Sequence, residues 1–531
     1  MIRVNNIHLS LDYDDKSVRK AVAQQLRIEE KSIKSCKIFR RSVDARKKDN
    51  IYFLTTVDAE LNINEDKICK KCGNAQIARK YKYNQMKFGN APSPIVVGAG
   101  PAGLFAALIL ARSGANPILI ERGRDVDRRT ADVNRFWTSG KLDITSNVQF
   151  GEGGAGTFSD GKLNSGTKDI RQRKVLEEFV SHGAPDEILY NAKPHIGTDM
   201  LKGTIKNIRN EIIELGGRVM FETKLVSMAF SDNKLKSITV ETKNSEEIIE
   251  TDNVILAIGH SARDTFEMLY DLKLPIEAKP FSVGARIEHL REKIDKAQYG
   301  RFAGNKKLGS ANYKLSTHLD NGRGVYTFCM CPGGKVVNAS SEENRLCTNG
   351  MSEFARNAEN SNSALLVGIN PDDYESDHPL AGMYLQRKLE SKAFVAGGEN
   401  YNAPIQRVDD FLNNRKSTHL GDVKPSIGPN YEFSNLNEIL PEYVSTSMAQ
   451  GIVKMSRMLH GFDDGDAVLT GVESRSSSPV RIMRKTDTLE SILIKGLYPC
   501  GEGAGYAGGI ISAAVDGIKC AEKIIEKSNK D

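Results

Sequence analysis

The sequence predicts an α/β protein, and three features of the chain carry this prediction. Residues 94–121, PIVVGAGPAGLFAALILARSGANPILIE, run from an apolar strand through a glycine turn and an apolar helix to a second strand. The tail, GLYPCGEGAGYAGGIISAAVDGIKCAEKII, repeats the order strand, turn, helix, whereas residues 275–465 have few long periodic runs. Alternating strands and helices favour a parallel sheet. We therefore expect a Rossmann-like domain, three-layered and mostly parallel, which is interrupted by a mixed α+β domain and preceded by a small α+β domain.

The expected domain boundaries follow changes in composition. MIRVNNIHLSL alternates like a strand, DYDDKSVRKAVAQQL has helical apolar spacing, and two strand-like runs complete a β-α-β-β module over residues 1–92. A Pro-rich break at Pro92 and Pro94 ends this module. The Rossmann-like domain is expected in two parts, 93–274 and 466–531, with the interrupting domain over 275–465.

Length and composition describe a multidomain protein without a membrane segment. A chain of 531 residues exceeds the size at which a single core keeps growing. The N-terminus lacks the apolar core of a secretory signal, and the apolar stretch GLFAALILA is shorter than the roughly 18 to 20 residues of a membrane span. The 8 cysteines are too sparse for a disulfide scaffold. We expect a cytoplasmic protein with reduced thiols and no bound metal, since Cys69 and Cys72 have no second ligand pair nearby.

The positive charge is concentrated in the N-terminal segment. Residues 1–90 hold 20 Lys and Arg against 11 Asp and Glu, whereas the rest of the chain holds 54 against 57. Two interpretations stay open: a solvated basic face, or a surface for an anionic partner such as nucleic acid. The oligomeric state is not indicated by the sequence.

The pattern GAGPAG at 98–103 has the context that a dinucleotide site requires. It follows an apolar strand and opens a helix, and Glu121 ends the next strand. Gly98 permits the tight turn, Gly100 lets the backbone approach a pyrophosphate, and Gly103 lets the helix pack closely on the strand. The helix N-terminus offers unpaired N–H groups to the anion. Glu121 is expected to accept hydrogen bonds from the two hydroxyls of the adenine-side ribose.

Several stretches together resemble a known flavoprotein group. VVGAGPAG, LIERG, AIG at 257–259 and GLYPCGEGAGYAGGIISAAVDG are similar, in this order, to the FAD-binding elements of the two-dinucleotide-binding-domain flavoprotein superfamily. GEGGAGTFSDGKL, FCMCPGG, APIQRVDDFL and GVESRSSSPVRI resemble its bacterial FAD-dependent dehydrogenases of unassigned substrate, which carry a small N-terminal domain. The resemblance implies FAD as the cofactor and a Rossmann-type FAD-binding domain.

The resemblance also implies where FAD contacts the chain. Glu502 stands where such flavoproteins have an aspartate on a ribityl hydroxyl, and the helix that begins near Gly508 faces the flavin pyrimidine edge, where its N–H groups favour negative charge. Leu225 falls at the usual adenine contact. The other residues implied as cofactor-binding are Pro101, Ala102, Arg122, Arg129, Ala257, Gly259, Gly501, Gly509, Ile510 and Ile511.

The pattern G-x-G-x-x-G occurs twice more, at 151–156 and 503–508. GEGGAG at 151–156 precedes TFSDGKLNSGTK, whose Gly, Ser, Asn and Asp residues do not sustain a helix, so a second pyrophosphate site is not expected there. In related flavoproteins a loop at this place passes over the isoalloxazine; a flexible surface loop is the other interpretation. The match at 503–508 overlaps the flavin turn itself. Candidates for contact with FAD or substrate in the first loop are Gly154, Thr157, Ser159, Asp160 and Lys162.

A few other residues are candidates for catalysis. Cys329 and Cys331 form a C-x-C pair that either packs structurally or places two thiols on one wall of the substrate pocket. Arg475 offers a planar fork of donors to a carboxylate substrate or an anionic flavin. His260 follows the AIG turn and titrates near neutral pH when unperturbed. With Lys162, these form the predicted catalytic set.

The expected function is that of an FAD-dependent oxidoreductase. It would transfer a hydride or electrons through flavin N5 to or from a small organic substrate, held between the FAD domain and the interrupting domain. NAD(P)H would serve as a transient reductant, since a dedicated nicotinamide domain is not predicted. Two alternatives stay open: a flavoprotein that acts on RNA through residues 1–90, and a flavin-binding protein without turnover.

Overall fold

The computed structural model describes residues 1–79, 81–166 and 168–530. The N-terminal module is an antiparallel sheet with a helix on one face. Its elements are β1 (Ile2–Leu9), α1 (Asp15–Leu26), β2 (Ile33–Asp44), β3 (Tyr52–Leu61), α2 (Glu65–Lys71) and β4 (Ala75–Ile77), and the strand order is β2-β3-β1-β4. Helix α1 begins where Asp14 accepts a hydrogen bond from the Ser17 N–H at 2.7 Å, and it buries Val18, Val22 and Leu26. The predicted β-α-β-β module is present and is extended by α2 and β4.

The remaining helices and strands follow in chain order. The first Rossmann-like part and its flanking segments contain β5 (Ile95–Val97), α3 (Pro101–Ser113), β6 (Ile118–Ile120), α4 (Val126–Ser139), α5 (Arg171–Ser181), α6 (Thr198–Glu214), β7 (Arg218–Met220), β8 (Thr223–Ser231), β9 (Lys234–Thr242), β10 (Glu246–Glu250), β11 (Val254–Leu256) and α7 (Arg263–Asp271). The interrupting domain and the tail contain β12 (Ile276–Ala278), β13 (Phe281–Leu290), α8 (Arg291–Tyr299), β14 (Ser316–His318), β15 (Gly324–Cys331), β16 (Lys335–Asn338), β17 (Thr348–Met351), β18 (Asn360–Ile369), α9 (Ala381–Ala396), β19 (Ala403–Arg407), α10 (Val408–Leu412), β20 (Tyr431–Phe433), α11 (Leu436–Ile439), α12 (Glu442–Ser456), β21 (Val468–Glu473), β22 (Val480–Ile482), β23 (Leu497–Pro499) and α13 (Ile510–Ser528).

The Rossmann-like domain has three layers. Its central sheet is parallel, with the strand order β23-β11-β5-β6-β7. Val96, Leu119 and Ile255 share one core with helices α3, α6 and α13, whereas Ile95 and Val97 share another with the antiparallel sheet β10-β9-β8. Because successive strand side chains point to opposite faces, a strand buried on both sides is apolar throughout. The predicted three-layer, mostly parallel domain is confirmed.

The interrupting domain is built on a seven-stranded mixed sheet. Its strand order is β14-β15-β18-β13-β21-β19-β20, with one parallel pair, β19 and β20. Helix α12 packs on β13, β14, β15 and β18, and α9 packs on β19 and β21. Since β21 lies between β13 and β19, this domain extends to Glu473, beyond the boundary expected at 465. The six residues of β21 contain no local pattern that indicates the partner strands, which lie far away in the sequence.

The N-terminal module contacts both other domains. Its apolar residues and those of the seven-stranded sheet belong to one contiguous core. The backbone of Arg41 exchanges hydrogen bonds with Tyr190 O and the Ala192 N–H, at 2.7 and 2.8 Å. The module is therefore docked firmly on the rest of the chain. Among the helices that the structure describes, none combines the length and the apolarity needed to cross a lipid bilayer.

Candidate functional site

A cavity of about 730 Å³ lies between the Rossmann-like domain and the interrupting domain. Its inner wall is formed where β5, β6 and β11 end, at Gly98, Glu121 and Ala257, and its outer wall includes Thr327 and Phe328 of β15. In open α/β sheets, ligands bind at the carboxyl ends of the strands. All the predicted site residues line this cavity except Gly103, Arg129, Thr157, Asp160, Cys331, Gly501 and Ile511, which lie behind its wall.

The glycine turn before α3 has the geometry of a phosphate-binding turn. Gly98 has φ +101°, and a Cβ there would lie 2.3 Å from Ala257 O. A Cβ on Gly103 would lie 1.7 Å from Gly98 O, so only glycine permits the observed approach of α3 to β5. Gly100 is the N-cap of α3 and makes no side-chain cap, which leaves first-turn N–H groups directed at the cavity.

Glu121 fastens this turn to the neighbouring loop. One carboxylate oxygen accepts a hydrogen bond from the Ala99 N–H at 2.8 Å, and the other accepts from the N–H groups of Gly123 and Gly151, both at 2.9 Å. The sequence did not predict this role. Because the carboxylate also lines the cavity, its contact with a ribose stays a prediction.

Arg129 is a structural residue, and the prediction that it contacts the cofactor is wrong. Its side chain is 0% exposed and donates to four carbonyls, those of Asn147, Val148, Gly151 and Glu152, at 2.6 to 3.2 Å. Burial lowers its pKa to about 10, against the opposing effect of nearby carboxylates. The guanidinium therefore holds the loop before Gly154 in place from behind the cavity wall.

Two further predicted contacts in this loop are also wrong. The Thr157 hydroxyl donates to Glu152 O at 3.3 Å, and Asp160 is buried in a pair with Arg356, whose Nε lies 2.9 Å from the Asp160 carboxylate. Both side chains shape the loop from behind. Gly154 and Ser159 do line the cavity, and a Cβ on Gly154 would lie 3.1 Å from the Gly100 Cα. The loop thus covers the phosphate turn, and its place over the isoalloxazine stays a prediction.

The C-terminal tail closes the other end of the cavity. Gly508 and Gly509 line it at the start of α13, and no atom lies within 4 Å of the position of a Cβ on either glycine. Gly509 is the N-cap of α13 without a side-chain cap, so first-turn N–H groups again face the cavity. Gly501 and Ile511 lie behind the wall: the Gly501 N–H donates to the Asp516 carboxylate at 2.8 Å, and the Ile511 side chain is buried in the core, so a contact through the Ile511 N–H stays a prediction.

Glu502 lines the cavity, where its carboxyl is largely shielded from solvent. Burial raises the pKa of its carboxyl to about 7; Lys279 opposes the shift and Cys329 adds to it. The protonated carboxyl can donate a hydrogen bond near neutral pH, which a carboxylate cannot.

Replacing Glu502 with glutamine is expected to flatten the pH dependence of stability. An acid whose pKa rises from its ordinary 4.5 to about 7 on folding stabilises the fold fully below pH 4.5 and loses that contribution as pH rises through 7. The wild type should thus lose up to about 3 kcal/mol relative to Glu502→Gln between pH 4.5 and 8. Urea unfolding of the flavin-free proteins at several pH values measures this difference. A constant difference across the range would contradict it.

Arg475 is already paired within the protein, and His260 stays a candidate base rather than an acid. The Arg475 guanidinium donates to both oxygens of buried Glu390, at 2.9 and 2.7 Å, so its fork is already occupied. Burial, Arg475 and Arg263 lower the pKa of His260 to about 4. The imidazole is therefore neutral at pH 7 and supplies no proton there. Both residues line the cavity as part of a rigid polar wall.

The structure also reveals a group of cations that the sequence did not bring together. Lys162, Lys193, Lys314 and Arg356 line the cavity on the side of the interrupting domain, and we call them the cationic wall. They come from the glycine loop, from the segment before α6, and from the segments before β14 and β18. Only Lys162 was predicted from the sequence, because the other three share no local pattern with it.

Among the residues that the structure describes, two clusters have the residue types of metal ligands, yet each already holds an arginine. In the first, Cys500, Asp516 and Cys520, the guanidinium of Arg484 donates to Asp516 at 2.7 and 2.9 Å. In the second, Glu178, His182 and Glu211, the guanidinium of Arg112 donates to both glutamates. A bidentate arginine satisfies the charge that a metal ion would otherwise neutralise.

Comparison with known proteins shows the family to which the chain belongs. Residues 280–476 match a family model described as FAD-dependent protein, C-terminal domain-like; residues 93–132 match an FAD binding domain; and residues 1–60 match a domain of unknown function, DUF8436. An uncharacterized protein of Clostridium beijerinckii is 50% identical over 532 residues, which cover 99% of each chain. This chain belongs to a family of FAD-dependent flavoproteins. The resemblance drawn from its motifs is confirmed.

Solved flavoprotein structures are similar to this chain at a low level. The flavin-dependent brominase Bmp2 is 12% identical over 83% of this chain and 80% of that one, with a TM-score of 0.38. A flavoprotein/dehydrogenase from Cytophaga hutchinsonii is 14% identical over 83% of this chain and 79% of that one, with a TM-score of 0.35.

The cavity of this flavoprotein fits FAD. Two helix N-termini open onto it, and the side-chain-free glycines at 100, 508 and 509 leave room for a ligand against the backbone. The turn at Gly100 would hold the pyrophosphate, Glu502 the ribityl chain and the start of α13 the flavin pyrimidine edge. Bound FAD supplies two-electron redox chemistry, while these residues bind and orient it.

Proposed function

We propose that this flavoprotein is an FAD-dependent dehydrogenase that moves a hydride between flavin N5 and a small anionic organic substrate. The substrate would lie between the phosphate turn and the seven-stranded sheet, where the cavity wall changes from glycine backbone to cationic side chains. The single observation that carries the anionic class is the cationic wall. Arg475 was the expected carboxylate-binding residue, but Glu390 occupies it, so this role passes to the cationic wall.

The charge of the cationic wall is largely unneutralised. Across residues 1–79, 81–166 and 168–530, no carboxylate is in ion-pair contact with Lys162, Lys193 or Lys314, and of the four cations only Arg356 has such a partner, Asp160. Burial lowers the pKa of Lys193, and the charges of Lys162 and Arg356 lower it further. An anion in the cavity would relieve this repulsion. A cleft lined by one sign of charge also concentrates ligands of the opposite sign.

Removing two of these charges is expected to weaken the binding of organic anions. In a Lys162→Met and Lys193→Met double variant, the dissociation constants of oxalate, succinate and inorganic phosphate should rise roughly tenfold to a hundredfold, since hydrogen bonds to charged groups contribute about 1.5–3 kcal/mol. Binding is measured by the change in flavin absorbance of the holoprotein as each anion is added. The FAD content should stay that of the wild type.

A surface lysine serves as the matched control. Lys243 is exposed in the turn between β9 and β10, so Lys243→Met removes a positive charge far from the cavity wall. It should leave anion binding unchanged. If the double variant binds all three anions as tightly as the wild type does, or if only neutral compounds perturb the flavin, the anionic substrate class is wrong.

Reduced nicotinamide is proposed as a transient electron donor. Within the described part of the chain, one parallel dinucleotide-type sheet is present, and it belongs to the FAD-binding domain. NAD(P)H would therefore dock from solvent at the cavity, where the cationic wall suits its phosphate groups. The proposal requires no second nucleotide domain.

A further inference from the structure

The C-x-C pair sits in a β-bulge at the cavity wall. Phe328 of β15 pairs with Ala364 of β18, and Cys331 pairs with Asn362, so β15 has one more residue than its partner between these points. Cys329 has φ +43°, in the left-handed region that a non-glycine residue seldom adopts. Bulges redirect side chains and are frequent next to active sites. The extended spacing that would hold residues 329 and 331 of a regular strand about 7 Å apart is broken here.

The two cysteines of the bulge are not equivalent. The Cys331 thiol donates to Cys329 O at 3.3 Å. Cys329 lines the cavity, whereas Cys331 is 0% exposed behind it. The neighbouring Cys331 thiol lowers the pKa of Cys329; burial opposes this effect, and Lys162 and Arg286 reinforce it. Cys329 in turn raises the pKa of Cys331 well above its ordinary value.

A buried arginine supports the pair from below. Arg286 is 0% exposed and donates to Cys329 O at 2.9 Å, while the same Nη1 lies 4.0 Å from the Cys331 sulfur. Glu473 holds this guanidinium with contacts of 2.6 and 3.0 Å. A fixed positive charge beside two thiols favours the thiolate, which is the reactive form of cysteine.

Cys329 also lies within electrostatic reach of the flavin side of the cavity. Its charge contributes to raising the pKa of Glu502, the residue assigned to the ribityl chain. Cys347 has a different environment: it is fully buried, and burial raises its pKa to about 12. Cys520 also lies beside an arginine, Arg484, but among the described cysteines only Cys329 has positive φ. The bulge is thus confined to the pair whose first cysteine lines the cofactor cavity and whose second lies behind it.

We propose that Cys329 and Cys331 are a redox dithiol that exchanges two electrons with the FAD bound in this cavity. In the oxidative direction an S–S bond would form between the Cys329 thiolate and the Cys331 sulfur, the Cys331 proton would be released, and the electron pair would pass to oxidised FAD. In the reverse direction the disulfide would accept an electron pair from reduced FAD and one proton, and the S–S bond would break. Cys329 is the sulfur exposed to the cavity, and Cys331 is its buried partner. The inference rests on FAD binding but not on the anionic substrate.

Anaerobic reductive titration with dithionite tests the proposal. The air-oxidised holoprotein should take up four electrons per FAD, two for the flavin and two for the disulfide, which is a two-electron couple. Cys329→Ser and Cys331→Ser should each halve this uptake while retaining FAD. Alkylation and mass spectrometry of the same samples should show residues 329 and 331 linked in the oxidised protein and free in the reduced protein.

The second close cysteine pair provides the control. Cys69 and Cys72 lie at the end of α2, outside the cavity, so a Cys69→Ser and Cys72→Ser variant should keep the uptake of four electrons. Flavin-free protein exposed to air should keep residues 329 and 331 free. An uptake of two electrons by the wild-type holoprotein, with both thiols alkylated after oxidation, would overturn the dithiol proposal alone. Absence of flavin from the purified protein would instead overturn the cofactor site.

Discussion

A Gly100→Val protein is expected to fold normally and to purify without FAD. Gly100 has φ −75° and ψ −177°, extended values that valine adopts without strain. The atom nearest to a Cβ at this position is the Gly154 Cα, at 3.9 Å, so the side chain would project into the space between the phosphate turn and the glycine loop. It would occupy the place of the pyrophosphate in front of the α3 N-terminus. FAD affinity should fall roughly a hundredfold or more, since each loss of about 1.4 kcal/mol weakens binding tenfold.

Flavin absorbance per protein after gel filtration measures this loss, and circular dichroism checks the fold. Gly203 offers a matched control because it lies on the exposed side of α6 with no atom within 4 Å of its Cβ position. Gly203→Val should retain FAD in full. Gly103 is unsuitable, since any side chain there would collide with Gly98 O and unseat α3. Gly100→Val protein that retains a full complement of flavin would refute the phosphate turn.

The fold and the phosphate turn were predictable because their signals are local. The strand, the turn at 98–103 and the helix occupy one continuous segment, and burial of β5 on both faces makes the whole strand apolar. The misassigned residues depend on distant partners. The partners of Arg129 are backbone carbonyls in residues 147–152, and the partner of Arg475 is Glu390 on α9. Neither set of partners is close in sequence to its arginine. Polar side chains must be satisfied when buried, and no local pattern reveals by which partner.

The cationic wall and the cysteine bulge show the same limit. Lys193, Lys314 and Arg356 come from segments that meet only when the seven-stranded sheet docks on the Rossmann-like domain. The C-x-C motif was visible in the sequence, but the hydrogen bond from the Cys331 thiol to Cys329 O depends on the extra residue in β15, which only the pairing with β18 defines. The cofactor site was therefore predictable from the sequence, whereas the residues on the substrate side of the cavity could be identified only from the assembled domains.

The second large effect concerns the buried ion network behind the cavity, where Glu390→Gln is expected to destabilise the protein by about 3–5 kcal/mol. Glu390 is 0% exposed and accepts from Arg263 at 2.7 and 2.8 Å, from Arg475 at 2.9 and 2.7 Å, and from the Ser474 hydroxyl at 2.6 Å. Glutamine keeps the volume but removes the charge and turns an N–H donor toward guanidinium donors. Two buried cations would then share the partly exposed Glu342.

This network joins the domains that form the cavity, which is why its loss should matter beyond stability. Arg263 begins α7 of the FAD-binding domain, Glu390 lies on α9 of the interrupting domain, and Arg475 follows β21. Urea unfolding monitored by flavin release should show the loss, and Glu343→Gln, which changes an exposed carboxylate on the segment of Glu342, should show no effect. Burial opposes ionisation of Glu390, but Arg263 and Arg475 outweigh it and hold its pKa well below the ordinary value of 4.5.

The stability that Glu390 provides is therefore complete above pH 4.5 and declines as pH falls below it. The difference in the free energy of unfolding between wild type and Glu390→Gln should thus be constant from pH 6 to 8 and become smaller in acid. A gap smaller than about 1 kcal/mol at neutral pH would show that this pair is dispensable, as replacement of buried ion pairs has sometimes proved.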